Sequence, residues 1–176
     1  MHPRFSHMLL IAKHYQQEQT ACLIAALLPE RDIIRSSGQH QSSSCDIQSR
    51  LNILTGIVKA SSAQIGTVRT ILKQAQSYLD LINSNIGNSN NTLNSKSKPN
   101  KKLTLNEEIP EELSGLLIAL AYPDRIAKQR PNQPGTYVLA NGRQASLPDH
   151  DPLRRHEWLA VANSGGVIGG SLSLIH

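Results

Sequence analysis

LLIALAYPDRIAKQRPNQPGTYVLANGRQASLPDHDPLRRHEWLAV, residues 116–161, is the stretch in which helix, strand and turn signals follow one another without filler. Leu113, Leu116, Leu117 and Leu120 recur at helical spacing. Two acidic pairs, Glu107 with Glu108 and Glu111 with Glu112, precede them and suit the positive end of a helix dipole. The helix must stop near Tyr122, because the residue before Pro123 is pushed out of helical conformation. After Pro123 the period changes. Arg125 to Lys128 alternates polar with apolar, PNQPG at 131–135 is a turn, and Thr136 to Ala140 is β-prone. Asn141-Gly142 is a tight-turn dipeptide that lets Ala145 to Leu147 return beside the preceding strand. Pro148 to Pro152 then forms an acidic loop, Trp158 to Ala162 gives another strand, and Leu172 to Ile175 is the last candidate. Short strands with frequent turns predict a small sheet or partial barrel.

Upstream the periodicity is helical. Pro3 suits a first helical position, and Phe5, Met8, Leu9, Ala12 and Tyr15 follow at helical spacing. Thr20 is a candidate N-cap for a second helix whose stripe is Leu23, Ile24, Leu27 and Leu28, ended by Pro29. Glu30 to Arg35 reads as a separate turn or short helix. Asp46 caps a third helix with Ile47, Leu51, Leu54 and Val58 on one face. The clearest stripe is Ile65, Val68, Leu72, Ala75, Leu79 and Ile82, an a/d-like seam suited to bundle packing. Residues 36–45 read as a loop, and 83–102 are low-complexity and polar, too poor in apolar side chains to offset the entropy of ordering.

Composition narrows the classes. The chain has 176 residues, enough for one ordinary domain or two small ones, and only 3% aromatic content. A net charge of +5 favours a polyanionic partner, or simply aids solubility. Cys22 and Cys45 form neither a CxxC pair nor a disulfide framework, so a reducing, cytoplasmic setting is expected. No apolar run has the length of a membrane span, and no secretory leader is read at the amino terminus, so no membrane partner is expected.

AYPDRIA (121–127), YVLANGRQASLPDHDPL (137–153) and EWLAVA (157–162) resemble the carboxy-terminal region of the HrpB family, bacterial ATP-dependent helicases of the DEAH/RHA class. HPRFSHMLLIAKHY (2–15) and ACLIAALLPERDIIR (21–35) resemble the start of the helicase-associated helix bundle in the same family. The family pattern there runs HPRL-x-HMLL, then A-x-LAALLSERD. The resemblance implies an α+β chain. Residues 1–122 would form a ratchet-like helix bundle with a disordered insertion at about 83–102, and residues 123–176 a partial OB-like β domain. In the family these parts follow two RecA-like motor domains and a winged helix, and help form the channel for single-stranded RNA or DNA.

The function implied is that of a non-motor part of an RNA helicase, binding single-stranded nucleic acid and supporting motor domains in cis or trans. The alternative is a truncated structural or interaction fragment with no activity of its own. No cofactor is expected in this chain. ATP and magnesium would belong to the motor, since no Gly is followed by Lys and no G-x-x-x-x-G-K-[ST] loop exists. Pro29 departs from the family pattern, which has a small polar residue there. From Asp124 to His176 the strands are too few to close a five-stranded barrel, so the β part is expected to keep an unpaired edge and to exchange its amides quickly.

Four cations, Arg125, Lys128, Arg130 and Arg143, carry the binding reading. Over 124–143 they face one carboxylate, Asp124, for a net of +3. Phosphates need such cations to replace released counterions, and OB-like surfaces track single strands this way. The plainer reading is solvated strand residues, with Arg125 paired to Asp124. Tyr122, Tyr137 and Trp158 are candidates to stack bases, although packing is the commoner use of each. His7 and His14 lack a third ligand for a metal, and Asp149, His150, Asp151, His156 and Glu157 sit in a loop that the family makes acidic without making it catalytic. Gly165 to Gly170 echoes a phosphate loop but lacks its Lys.

Overall fold

Among the described residues five α-helices come first: α1 (Pro3–His14), α2 (Glu18–Leu27), α3 (Gln48–Thr55), α4 (Ile65–Ser84) and α5 (Glu111–Ala121). Among the same residues five strands follow: β1 (Ile126–Gln129), β2 (Thr136–Leu139), β3 (Gln144–Ser146), β4 (Trp158–Ser164) and β5 (Leu172–Ile175). The computed structural model describes residues 2–30, 32–34, 45–84, 101–164 and 172–175. The loop expected at 36–45 (Cys45 apart), most of the low-complexity insertion and the Gly165 to Gly170 segment lie outside these residues.

The helices assemble around α2, which packs on α1, α4 and α5 and is buried along nearly its whole length. Pro3 opens α1, where its missing N–H is no loss, and the His2 ring accepts a hydrogen bond from Arg4 N at 3.3 Å. The α2 helix begins at Glu18 rather than after Thr20. Glu18 is drawn into the first turn by Lys101, whose ammonium donates to its carboxylate at 2.6 Å. This pair fixes the chain emerging from the insertion against α2, and Thr104 N donates to Gln19 Oε1 beside it.

In α4 the core residues are Ile71, Ala75, Leu79 and Ile82. A 3.6-residue period stacks these four, leaving Val68 and Leu72 on the shoulder and Ile65 42% exposed. Tyr15 and Val58 are exposed because α1 ends at His14 and α3 at Thr55, where Gly56 takes the left-handed conformation. The N-cap position of α3 is Ile47 rather than Asp46, which lies one residue earlier and accepts from Gln48 N at 2.8 Å. Arg50 of α3 grips Asp32 through two N–H groups, at 3.0 and 2.7 Å, and holds the segment after Pro29 against the bundle.

The strands form one antiparallel sheet in the order β3-β2-β1-β4-β5. Three hairpin-linked strands followed by a fourth lying beside the first make a Greek key. The Asn141-Gly142 turn closes β2 on β3, with Gly142 at φ +81. Among the described residues β3 and β5 each pair on one side only, so the sheet is open.

Strand β4 belongs to two cores. Leu159 and Val161 join Ala127, Tyr137, Leu139, Ala145, Leu147 and Leu153 under the sheet, while Ala160 and Ala162 on its other face join the helix core against α5. That double burial accounts for the unbroken apolar run LAVA at 159–162. Cys45, just ahead of α3, joins the sheet core, and its N–H donates to the buried Asp151 carboxylate at 2.8 Å. Tyr137, fully buried, directs its hydroxyl to His156 O at 2.8 Å and Leu153 O at 3.1 Å.

Candidate nucleic-acid interface

Antiparallel pairing decides which cations share a surface. Lys128 stands opposite Val138 of β2 and Trp158 of β4, and Val138 stands opposite Gln144 of β3. One row of the outer face therefore reads Trp158, Lys128, Val138, Gln144. The neighbouring row carries Arg130, whose N–H donates to Thr136 O at 2.8 Å, and Thr136 pairs with Ser146. The opposite face of β1 and β2 carries Ala127, Tyr137 and Leu139 into the sheet core.

The four predicted cations divide along these lines. Lys128 is exposed at the centre of the outer face, its ammonium 4.9 Å from the Trp158 ring centroid and 3.4 Å from Glu157 Oε1. Arg130 is exposed and has no side-chain partner among the described residues. Arg143 is exposed after the Asn-Gly turn, at the opposite end of β1 from Arg130. Arg125 is used internally. Its guanidinium donates to Ala162 O at 2.6 Å and lies 4.5 Å from the Tyr122 ring centroid, which also meets Arg4 at 5.2 Å. Arg125 thus rivets the end of α5 to β4, with Asp124 nearby at 4.0 Å and itself paired to Arg4 at 2.7 Å.

The aromatic candidates also separate. Tyr137 is buried and Tyr122 is half-buried, edge-on to Phe5, and burial pushes both hydroxyl pKa values up. Trp158 is 52% exposed on the outer face. The parity of β4 sets Trp158 on the face opposite Leu159 and Val161, but Ala160 and Ala162 share that face and are buried against α5, so its exposure follows from its position beyond the end of that cover.

The acidic loop is structural in this geometry. Asp151 accepts from Cys45 N and, at 3.0 Å, from Leu153 N, opening a 3-10 turn over Pro152–Arg155. Asp149 pairs with Arg154, which also donates to Pro134 O at 2.7 Å. His7 contacts Leu120 O and His14 packs on Tyr15, and no metal-binding group of three such side chains occurs among the described residues. Sequence reading passed over Arg155, exposed at the end of that turn. Both cysteines are buried, and burial, with Glu18 and Asp80 adding to it, pushes the Cys22 thiol up to about 12. Among the described residues no helix is long and apolar enough to cross a membrane.

No protein-family model matches the chain. Over 52 residues it is 50% identical to the ATP-dependent RNA helicase HrpB of Escherichia coli (strain K12), a match spanning 30% of this chain and 6% of that protein. Two crystal structures of E. coli HrpB, one described as a DExH-box NTPase and one as a DEAH/RHA helicase, align over 90% of this chain. The alignments have 28% identity and a TM-score of 0.49, and cover 14% and 15% of those chains. The chain resembles a small part of HrpB, the relative to which the motifs at 2–35 and 121–162 point.

Proposed function

We propose that this chain, a helicase-related polypeptide similar to part of HrpB, is a non-motor accessory region that holds single-stranded RNA or DNA in the cytoplasm. The observation that carries the reading is the pairing of Lys128 with the exposed Trp158 ring, with Arg130 exposed in the neighbouring row of the same sheet face. Cations replace phosphate counterions, and an exposed aromatic gives unstacked bases a platform of any sequence. Arg143 extends the charged path at the other end of β1, and OB-like use of the sheet follows the same logic. ATP and magnesium belong, in this reading, to motor domains in cis or trans, and the chain alone neither binds nor hydrolyses ATP.

Fluorescence-polarisation titration of single-stranded RNA and DNA oligonucleotides over a range of salt tests it. Weak binding whose affinity falls with salt, and which is lost in Lys128→Glu/Arg130→Glu, is expected. A folded, monomeric protein with no affinity at low salt would leave the alternative, an interaction fragment without independent activity.

A further inference from the structure

Between α5 and the paired strands β1 and β4 runs a groove of about 300 Å³, lined by Glu112, Gly115, Leu116 and Ala119 on the helix and by Ile126 and Trp158 to Ala160 on the strands. Leu116 is 60% exposed and Trp158 52% exposed, although α5 points its other apolar residues, Leu117, Ile118 and Ala121, into the core. Two large apolar groups facing water across one groove are a docking signature rather than scattered surface residues. The helix wall has spacing i, i+3, i+4, i+7, which is the ridge a second helix packs against. Gly115, Ala119 and Ala160 are small, so an incoming backbone can approach closely.

Charge selects the occupant. Glu111 and Glu112 are exposed in the first turn of α5, Glu112 on the groove wall, Glu107 and Glu108 are exposed in the segment before it, and none of the four has an ion-pair partner among the described residues. The cation nearest Trp158, Lys128, is already held by Glu157 and the indole ring. We propose that this groove docks an amphipathic helix of a partner protein that carries an apolar stripe flanked by Lys or Arg. Such a helix places its apolar side chains between Leu116 and Trp158 and its cations over the α5 carboxylates. Phosphates are repelled from that end, but Trp158 belongs both to the groove and to the face that carries Lys128, so a docked helix and a single strand compete for its ring.

Trp158 is the chain's single tryptophan, and its emission reports the groove directly. The probes are a short synthetic amphipathic helix with Leu at helical spacing and Lys on both flanks, and the same peptide with every Lys replaced by Glu. The Lys peptide is expected to shift the emission to the blue with saturation, and to bind at least about ten-fold more tightly than the Glu peptide. Leu116→Asp, an exposed change whose fold is checked by circular dichroism, abolishes the shift. Glu111→Lys/Glu112→Lys reverses the preference between the two peptides. No shift with either peptide overturns the proposal, as does equal affinity for both. A blue shift with protein concentration alone would identify a second copy as the occupant and overturn it too.

Discussion

The Lys128 ammonium and the Trp158 indole face each other across the β1–β4 pair at 4.9 Å, the two residues being direct cross-strand partners. The contact holds a cation and an aromatic ring on one exposed face, while Glu157 at 3.4 Å offsets part of the charge. Removing that carboxylate frees Lys128 for phosphate. Glu157→Gln is therefore expected to raise oligonucleotide affinity about two- to five-fold at low salt, with the gain disappearing at high salt. An affinity unchanged at every salt concentration would remove Lys128 from the path.

Arg125 is the counter-case among the four cations. Its bond to Ala162 O and its stacking on Tyr122 join α5 to β4, so Arg125→Ala should cost about 1–3 kcal/mol in a urea titration. Oligonucleotide affinity of the folded protein should change by less than about two-fold. Lost affinity with unchanged stability would reverse this assignment.

Tyr137→Phe removes a buried hydroxyl that reaches His156 O and accepts from Gln129 Nε2 at 3.1 Å. Two carbonyls and an amide lose a partner while the ring still fills the core. A loss of about 1–2 kcal/mol is expected in chemical denaturation, without change in sheet content.

Two glycines separate backbone strain from crowding. Gly135 and Gly142 have φ of +80 and +81, but a Cβ at Gly135 meets the Arg154 side chain while one at Gly142 meets open space. Gly142→Ala is expected to cost about 1 kcal/mol, and Gly135→Ala about 1 kcal/mol more, since Arg154 must leave Pro134 O. Equal thermal midpoints for the two variants would contradict the ranking.

The Glu18 carboxyl is held below its ordinary range. Burial opposes its charge, but the Lys101 hydrogen bond, backbone hydrogen bonding and the charges of Lys101 and Lys13 outweigh that. A lowered folded-state pKa gives stability that is present above the unfolded value and lost as pH falls through the folded one. Glu18→Gln should flatten the acid limb of the stability profile between about pH 5 and pH 3. Asp46, pushed up by its burial, titrates in the opposite sense, so the difference between variant and parent isolates Glu18.

Hydrogen exchange should be graded across the sheet. The β1 and β4 amides lie between paired neighbours, and β4 is buried in both cores, so they should exchange with the helix bundle. The edge strand β3 should exchange faster. Uniformly fast exchange over 126–162 would show that the sheet opens independently of the helices, as the sequence alone suggests.

The sequence by itself determined most of the local structure. Pro3, Pro123 and Asn141-Gly142 fix φ or favour turns through their own covalent geometry, so the change from helices to short strands and the places of β2 and β3, to within about a residue, follow without tertiary information. Parity along a strand likewise separates Lys128 from Ala127. What only the tertiary structure decided is how neighbours distant in sequence use each group. Arg125 and Lys128 are both cations of one short segment, but Arg125 meets Ala162 O and Lys128 faces solvent, because β4 returns beside β1 after an excursion through β2 and β3. Leu116 fits the apolar stripe of α5 and is nevertheless exposed, since the core lies against Leu117 and Ile118, and the helix period does not say how wide the covering neighbour is. Burial and ion pairing are properties of the assembled neighbours, which residue type and spacing do not fix.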